Sequence, residues 1–420
     1  MNFKQTSLES IPNDWEVMRL GGVGKIITGT TPSTKKIEYY SGPYMFISPF
    51  DLGENKYVYK TQKWLSKKGL EVSSPLPKDT VLVVCIGSTT GKTGMTFSDS
   101  CATNQQINAI ICHSRTISPF LYYMLTYKAN YIGSLASKVA VPILNKNNFS
   151  KIEILLPPVK EQQKITNVLS TIQRAIEQQN KIIETTRKLK KSLLHTLFTE
   201  GLNGEEQKKT EIGRVPKSWD VVRLGDDDIL TLTQYGLSIR GSKEEKYPIL
   251  RMSNLTNGYV NPTDLQFVNV DKTTFRKFRL KSGDILFNRT NSIELVGKTS
   301  IFNLDGEFVF ASYLIRLKTN PDSLNPYFLN FYFNWDITQS RLKGLASRGV
   351  SQANISATRL KTLESPLPPL SEQQQIAHIL STVDKKIEIE KRRKTTFKEL
   401  FKTMLHKLMS GEMRLKEVEI

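Results

Sequence analysis

The 420-residue sequence predicts an α+β chain built by tandem duplication: two β-rich domains, each followed by a long helix, the two helices packed as an antiparallel coiled coil. Three observations carry this prediction. First, Leu156-Pro157-Pro158-Val159-Lys160-Glu161-Gln162-Gln163-Lys164-Ile165 returns at Leu367 as Leu-Pro-Pro-Leu-Ser-Glu-Gln-Gln-Gln-Ile, and 12 of 22 positions are identical between Leu156–Glu177 and Leu367–Glu388. Second, both copies open a run with the four-three apolar spacing of a coiled-coil seam, Ile165, Leu169, Ile172 and Ile176 in one and Ile376, Leu380, Val383 and Ile387 in the other. Third, Ile11-Pro12-Asn13-Asp14-Trp15-Glu16-Val17-Met18-Arg19-Leu20-Gly21 returns as Val215-Pro216-Lys217-Ser218-Trp219-Asp220-Val221-Val222-Arg223-Leu224-Gly225. The order is therefore globular, rod, globular, rod, with a period of about 205–211 residues, too long for a solenoid.

Taken in order, residues 1–155 form the first domain. Runs such as Val81–Ile86 and Ile107–Cys112, separated by Gly, Asn, Ser and Pro, read as strands. Pro119–Ala129 reads as a short aromatic helix started by its proline. Residues 156–200 form the first rod. Its two prolines block backward extension, and Gly201 supplies the stop. Glu200–Lys209 is a polar linker into the second domain, residues 201–365. There Tyr247–Arg251 answers Tyr44–Ser48, Leu280–Leu286 answers Leu76–Leu82, Gly297–Thr299 answers Gly91–Thr93, and Pro326–Trp335 is the second aromatic helix. Residues 366–412 form the second rod, where Ser371 and Gln374 have capping-box spacing and Gly411 is the stop; 413–420 are a tail. Pairing the rods antiparallel sets Ile165–Ile176 against Phe397, Phe401 and Met404, and Ile376–Ile387 against Thr186–Leu197.

Composition narrows the partners. A hydrophobic fraction of 39% with 24% charged residues is that of a folded globular chain. The net charge is +19, distributed as +7 over 1–155, +4 over 156–200, +5 over 201–365 and +3 over 366–420. An excess spread over every segment points to a polyanion rather than to a basic tail. The longest apolar run is far too short for a membrane span, and Met1–Thr6 has no apolar signal segment, so a cytoplasmic location without membrane contact is expected. Three cysteines, Cys85, Cys101 and Cys112, make neither a disulfide framework nor a metal site.

No catalytic constellation emerges. Gly87-Ser88-Thr89-Thr90-Gly91-Lys92-Thr93 has three residues between its glycines where a phosphate-binding loop needs four, so it reads as a turn whose Lys92, like Lys298 in the repeat, faces phosphate. Each Pro-Pro pair follows leucine, whereas amino methylation of a flipped base needs Asn or Asp before Pro-Pro and an aromatic after it. His195 and His406 occupy equivalent places near the rod ends, where a structural role fits. What remains is recognition chemistry. Arg251, Asn254, Arg289, Asn291, Lys298, Arg348 and Gln352 in the second domain, and Ser48, Thr89, Lys92, Asn104, Gln105 and Lys138 in the first, are residue types that read base edges or grip phosphates. Turn formation is the alternative for each of them taken singly. The frames match while these loops diverge, as two related scaffolds reading different sequences would.

The paired Leu-Pro-Pro-x-x-Glu-Gln-Gln helices and the Pro-x-x-Trp-x-x-x-Arg-Leu-Gly openings resemble, over essentially the whole chain, the specificity subunit of type I restriction–modification systems. The resemblance implies two target-recognition domains, each reading half of a split site on double-stranded DNA, and no catalysis by this chain. It implies rods that space the domains and dock two methyltransferase subunits, with a restriction/translocase subunit completing the complex. S-adenosylmethionine, ATP and Mg2+ are then expected on the partner subunits and none on this chain. Two other readings compete: a self-contained DNA methyltransferase or nuclease, disfavoured by the missing motifs, and a coiled-coil scaffold without DNA readout, disfavoured by the charge and by the size of the β-rich parts.

Overall fold

The structure is a computed structural model that describes residues 3–5, 10–53, 55–137, 141–349 and 352–415. The chain divides into two units, one of Met1–Lys181 with Lys391–Ile420 and one of Ile182–Glu390. Each unit thus holds one β-rich domain, the first half of the long helix that follows it and the last half of the other long helix. The helices run Val159–Thr199 and Leu370–Met409, 41 and 40 residues, about 60 Å each at 1.5 Å per residue. Both start directly after Pro-Pro, and the carbonyls of Pro158 and Pro369 accept the first helical N–H bonds. Gly201 and Gly411 lie beyond the helix ends with φ of +67° and +78°, the left-handed stop expected of glycine there.

In the first unit, five strands lie in the order Gly24–Thr28, Ile107–Cys112, Val81–Val84, Thr93–Thr96, Tyr57–Val58, antiparallel except for the last pair. A second sheet places Tyr40–Ile47 between Ala102–Thr103 and Lys63–Leu65. Helix Ser118–Tyr127, opened by its proline, covers the larger sheet with Phe120–Leu125 all buried. The second unit repeats the plan. Six strands run Leu230–Tyr235, Leu314–Thr319, Ile285–Asn288, Thr299–Ile301, Gly258–Val260, Leu255–Thr256, and Tyr247–Leu250 sits between Gln266–Val268 and Val309–Phe310. The covering helix is Pro326–Phe333. In both units the opening strand pairs antiparallel with the strand leading into Pro-Pro, Glu16–Arg19 with Glu153–Leu156 and Asp220–Arg223 with Glu364–Leu367. Domain entry and rod entry are therefore stitched together.

The Glu-Gln of the repeated motif makes the joint between domain and rod. In the first unit Gln162 Oε1 accepts from Ile117 N at 2.9 Å, and its amide donates to Pro157 O at 2.8 Å and Arg115 O at 3.1 Å. In the second, Gln373 Oε1 accepts from Asn325 N at 2.8 Å and its amide donates to Pro368 O and Ser323 O, both at 2.9 Å. Each glutamine thereby fastens the start of its rod to the start of the covering helix. The glutamate serves the buried tryptophan: Trp15 Nε1 donates to Glu161 at 3.1 Å and Trp219 Nε1 to Glu372 at 3.0 Å. Glu161 also takes two bonds of 2.7 Å from Arg414, and Glu372 accepts from Leu202 N at 3.0 Å. A buried indole N–H without an acceptor carries a full desolvation penalty, so the glutamates account for the spacing of the motif.

The helix halves within each unit pack antiparallel. Ile165 and Leu169 share a core with Leu405, Leu408 and Met409, and Phe401 and Met404 pack against it. Ile376 and Leu380 share one with Leu194, Leu197 and Phe198. Ile387 is also buried, but Ile172, Ile176, Val383, Phe397 and Phe401 are only half-buried. Burial is complete where the sheets and covering helices add a third layer to the helix pair, and falls where two helices alone bury a narrow stripe. His195 packs its ring on Trp335 and His406 on Tyr127, equivalent contacts near the two rod ends.

Two expectations are corrected. Ser371 lies inside the first turn of the helix that starts at Leu370, so it is not the N-cap; the Pro369 carbonyl accepts from Glu372 N and Gln373 N instead. The polar linker is not structureless throughout, because Gln207–Thr210 pairs with Gly213–Pro216 as a hairpin.

Candidate nucleic-acid interface

In the second unit the recognition candidates converge on a small sheet in which Ala353–Asn354 lies between Thr290–Asn291 and Ser347–Arg348. It continues directly from the buried strand Ile285–Asn288, whose apolar residues anchor it. Arg289, between the two strands, is half-buried, and its guanidinium lies 4.7 Å from the Tyr235 ring centroid. Its Nη2 donates to Asn354 Oδ1 at 3.4 Å, and Nε is buried with no hydrogen-bond partner among the described residues. Asn354 is itself held by Thr290 Oγ1 at 2.6 Å, and the Tyr235 hydroxyl accepts from Ala357 N at 2.8 Å. Arg348 and Gln352 are exposed on the hairpin, closed by Gly349 N to Gln352 O at 2.8 Å. Lys298 is exposed one register from Arg289, its carbonyl accepting from Asn288 N at 2.8 Å.

Other candidates turn inward. Arg251 Nη2 donates to Asp264 O at 2.8 Å and to its carboxylate at 3.2 Å. Asn254 is buried, accepts from Arg251 N and donates to Asn261 O and Thr263 O. Its donors and acceptor are spent on shaping this loop. Asn291 donates to the Met252 sulfur at 3.4 Å and ties the Arg251 loop to the small sheet.

In the first unit, Gly87–Lys92 is the hairpin turn between Val81–Val84 and Thr93–Thr96, with no helix after it, so the turn reading of the glycine motif holds. A Cβ at Gly91 (φ +95°) would stand 2.2 Å from Ala129 O, so glycine is required by close packing. Thr89 is exposed at the tip. Lys92 reaches back instead, its Nζ donating to Pro49 O at 3.1 Å beside the Ser48 loop, where Ser48 Oγ binds Asp51 at 2.7 Å. Asn104 bonds to both the side chain and the backbone of Gln106, leaving Gln105 exposed next to it. Lys138 lies outside the described residues. Sequence reasoning missed Tyr235 and Asn354, which hold neighbouring side chains in place. An aromatic at Tyr235 opposite Thr28 in the repeat was the available signal.

The chemistry of the site is that of binding. Cys85 and Cys101 are buried, which pushes both thiols up to about 12, far from thiolate formation. Among the described residues no group of His, Cys, Asp or Glu is placed to hold a metal, and no helix is long and apolar enough to cross a membrane.

Comparison with known proteins agrees with this geometry. Residues 12–186 and 216–399 each match the family described as Type I restriction modification DNA specificity domain. The chain is 28% identical to the type I restriction enzyme MjaVIII specificity subunit of Methanocaldococcus jannaschii, covering 99% of this chain and 97% of that one. It is 24% identical to the EcoKI specificity subunit of Escherichia coli, covering 88% and 82%. The fold is shared with the type I restriction–modification S subunit of M. genitalium, with a TM-score of 0.61 at 16% identity over 95% of this chain and 97% of that chain. The chain belongs to the type I restriction–modification specificity family. It is a non-catalytic subunit with two recognition domains.

Proposed function

We propose that the chain reads a two-part target on double-stranded DNA, one half through each unit, and carries two methyltransferase subunits docked on its long helices. A restriction/translocase subunit joins the same complex, in the cytoplasm. S-adenosylmethionine, ATP and Mg2+ belong to those partners. The observation that carries this reading is the repetition of one frame with different side chains at its exposed loops. The Trp–Glu and Gln joints and the turn lysines Lys92 and Lys298 recur in both units, whereas Arg289 of one stands where the other has Cys85, and Ser312 where it has Gln105. The charge of +19 suits a duplex with one phosphate charge per about 1.7 Å of axis.

The test is methyl transfer to adenine in host DNA by the purified chain, alone and with its methyltransferase subunits. The chain alone is expected to transfer nothing, and the complex to methylate a motif of two short sequences separated by a fixed gap. Transfer by the isolated chain would overturn the assignment of cofactor and chemistry to the partners.

A further inference from the structure

The two units present different chemistry at one equivalent place on their shared frame. In the first unit Cys85 N donates to Gln106 O at 2.7 Å, and Leu144 N to Cys85 O at 2.8 Å. In the second unit Arg289 N donates to Tyr313 O at 3.0 Å, and Ile355 N to Arg289 O at 2.8 Å. Cys85 and Arg289 are therefore equivalent, as are Gln105-Gln106 and Ser312-Tyr313 ahead of the central strands. Gly29 and Gly236 complete the correspondence: a Cβ on the first would lie 2.2 Å from Asn104 O and on the second 2.3 Å from Ala311 O, so in both units strand end and loop touch.

At this place the described residues of the first unit present amides where the second presents Arg289. Asn104 Nδ2 donates to Gln106 Oε1 at 2.9 Å and Gln106 N to Asn104 Oδ1 at 3.1 Å, so these two amides lock each other. Gln105 stays exposed, its Oε1 accepting from Thr31 Oγ1 and its Nε2 making no hydrogen bond among the described residues. The second unit offers Arg289, flattened on Tyr235 and steadied by Asn354. A guanidinium held on an aromatic face has lost much of its rotamer freedom beforehand, which lowers the entropic cost of contact. The adjoining two-stranded hairpin, Ser347–Arg348 with Ala353–Asn354, has the shape that a major groove admits.

We infer that Arg289 reads the guanine of a G·C pair in the half-site of the second unit, and that Gln105, on the loop adjoining Cys85, the counterpart of Arg289, reads the adenine of an A·T pair in the half-site of the first. Arginine pairs bidentately with guanine O6 and N7, and a carboxamide with adenine N6 and N7. Tyr235, Asn354, Asn104 and Gln106 are positioning residues. The inference rests on the two-part reading proposed above and adds the base that each unit requires.

The test maps methylated motifs in DNA modified by the full complex carrying wild type, Arg289→Ala, Arg289→Lys, or Gln105→Ala, with assembly checked by gel filtration. Arg289→Ala is expected to relax one guanine-containing position in one half, lowering discrimination there by about 10- to 100-fold, with the other half unchanged. Arg289→Lys keeps the charge but loses the bidentate fork and is expected to relax the same position, which covers the case in which the alanine variant fails to assemble. Gln105→Ala is expected to relax one A·T position in the opposite half. Uniformly weaker modification with the motif intact, both variants acting on one half, or a relaxed position of the wrong base pair would overturn the inference while the two-part reading stands. A wild-type motif without two parts would instead sink that broader reading, and this one with it.

Discussion

A buried indole N–H needs an acceptor, and the two halves of this chain meet that need with the same glutamate in different company. Glu161 is buried and receives Trp15, Arg414 and the Leu415 N–H, and the helix-end segment of residues 410–415 is thereby drawn into the first core. The hydrogen bonds that Arg414 donates to Glu161 and Asp14 hold its guanidinium above its ordinary pKa. Glu372 is half-buried and receives Trp219 and Leu202 N. Removing Glu161 leaves the half-buried Arg414 guanidinium with Asp14 in place of two carboxylates and strands the indole and the Leu415 N–H, whereas removing Glu372 strands two neutral donors. Glu161→Ala is expected to cost about 3–5 kcal/mol and Glu372→Ala about 1–3 kcal/mol. Thermal unfolding followed by tryptophan fluorescence measures both; equal losses would mean that the Arg414 bonds contribute nothing.

At the scale of elements, the long helices are fully covered at their domain ends, while between them half-covered positions alternate with buried ones such as Ile183 and Ile387. Ile165 and Leu169, or Ile376 and Leu380, are buried under sheet and covering helix, while Ile172, Ile176 and Val383 are only half-covered. The stretch beyond the domains is therefore where length can change at least cost to either core. Four residues inserted after Glu184, matched by four after Ile389 across from it in the partner helix, add about 6 Å while nearly keeping the buried face. The complex is expected to prefer a gap between half-sites longer by roughly two base pairs at about 3.4 Å each, with each half-sequence unchanged. Motif mapping of the variant decides it. An assembled variant that keeps the original gap would show that the helices do not set the spacing.

Over the whole molecule, the excess of cations is spread through both units and both helices rather than gathered at the readers. Phosphate contacts give affinity without sequence preference, and each one neutralised steepens the dependence of log K on log salt by about 0.9. Lys298, exposed beside Arg289, fits such a contact. Lys298→Ala is expected to weaken specific and nonspecific duplexes alike and flatten the salt slope by about one unit. Titrating both duplexes at several salt concentrations separates this from base reading, in which only the specific duplex would suffer.

By itself the sequence determined the duplication, the order of domain and rod, the helices after Leu-Pro-Pro, and the loops that differ between the halves. Those features are written locally, in a repeat that can be aligned and an apolar period that needs no partner to be recognised. Tertiary structure decided which polar residues are free to act. Arg251 and Arg289 look alike in sequence, yet Asp264 takes up one guanidinium and Tyr235 props the other, through contacts 13 and 54 residues away along the chain. Glu161 and Glu372 read as parts of a helix start, but their tasks lie with tryptophans 146 and 153 residues away. The second unit also buries Arg316 beside Asp284, each side chain 4% exposed, where the first unit has Ala109 and Thr80. Burial outweighs the nearby cations and holds Asp284 above the usual carboxylate range. A pattern of residues states which groups are available; only the folded chain brings together the distant groups that consume some and leave others exposed for DNA.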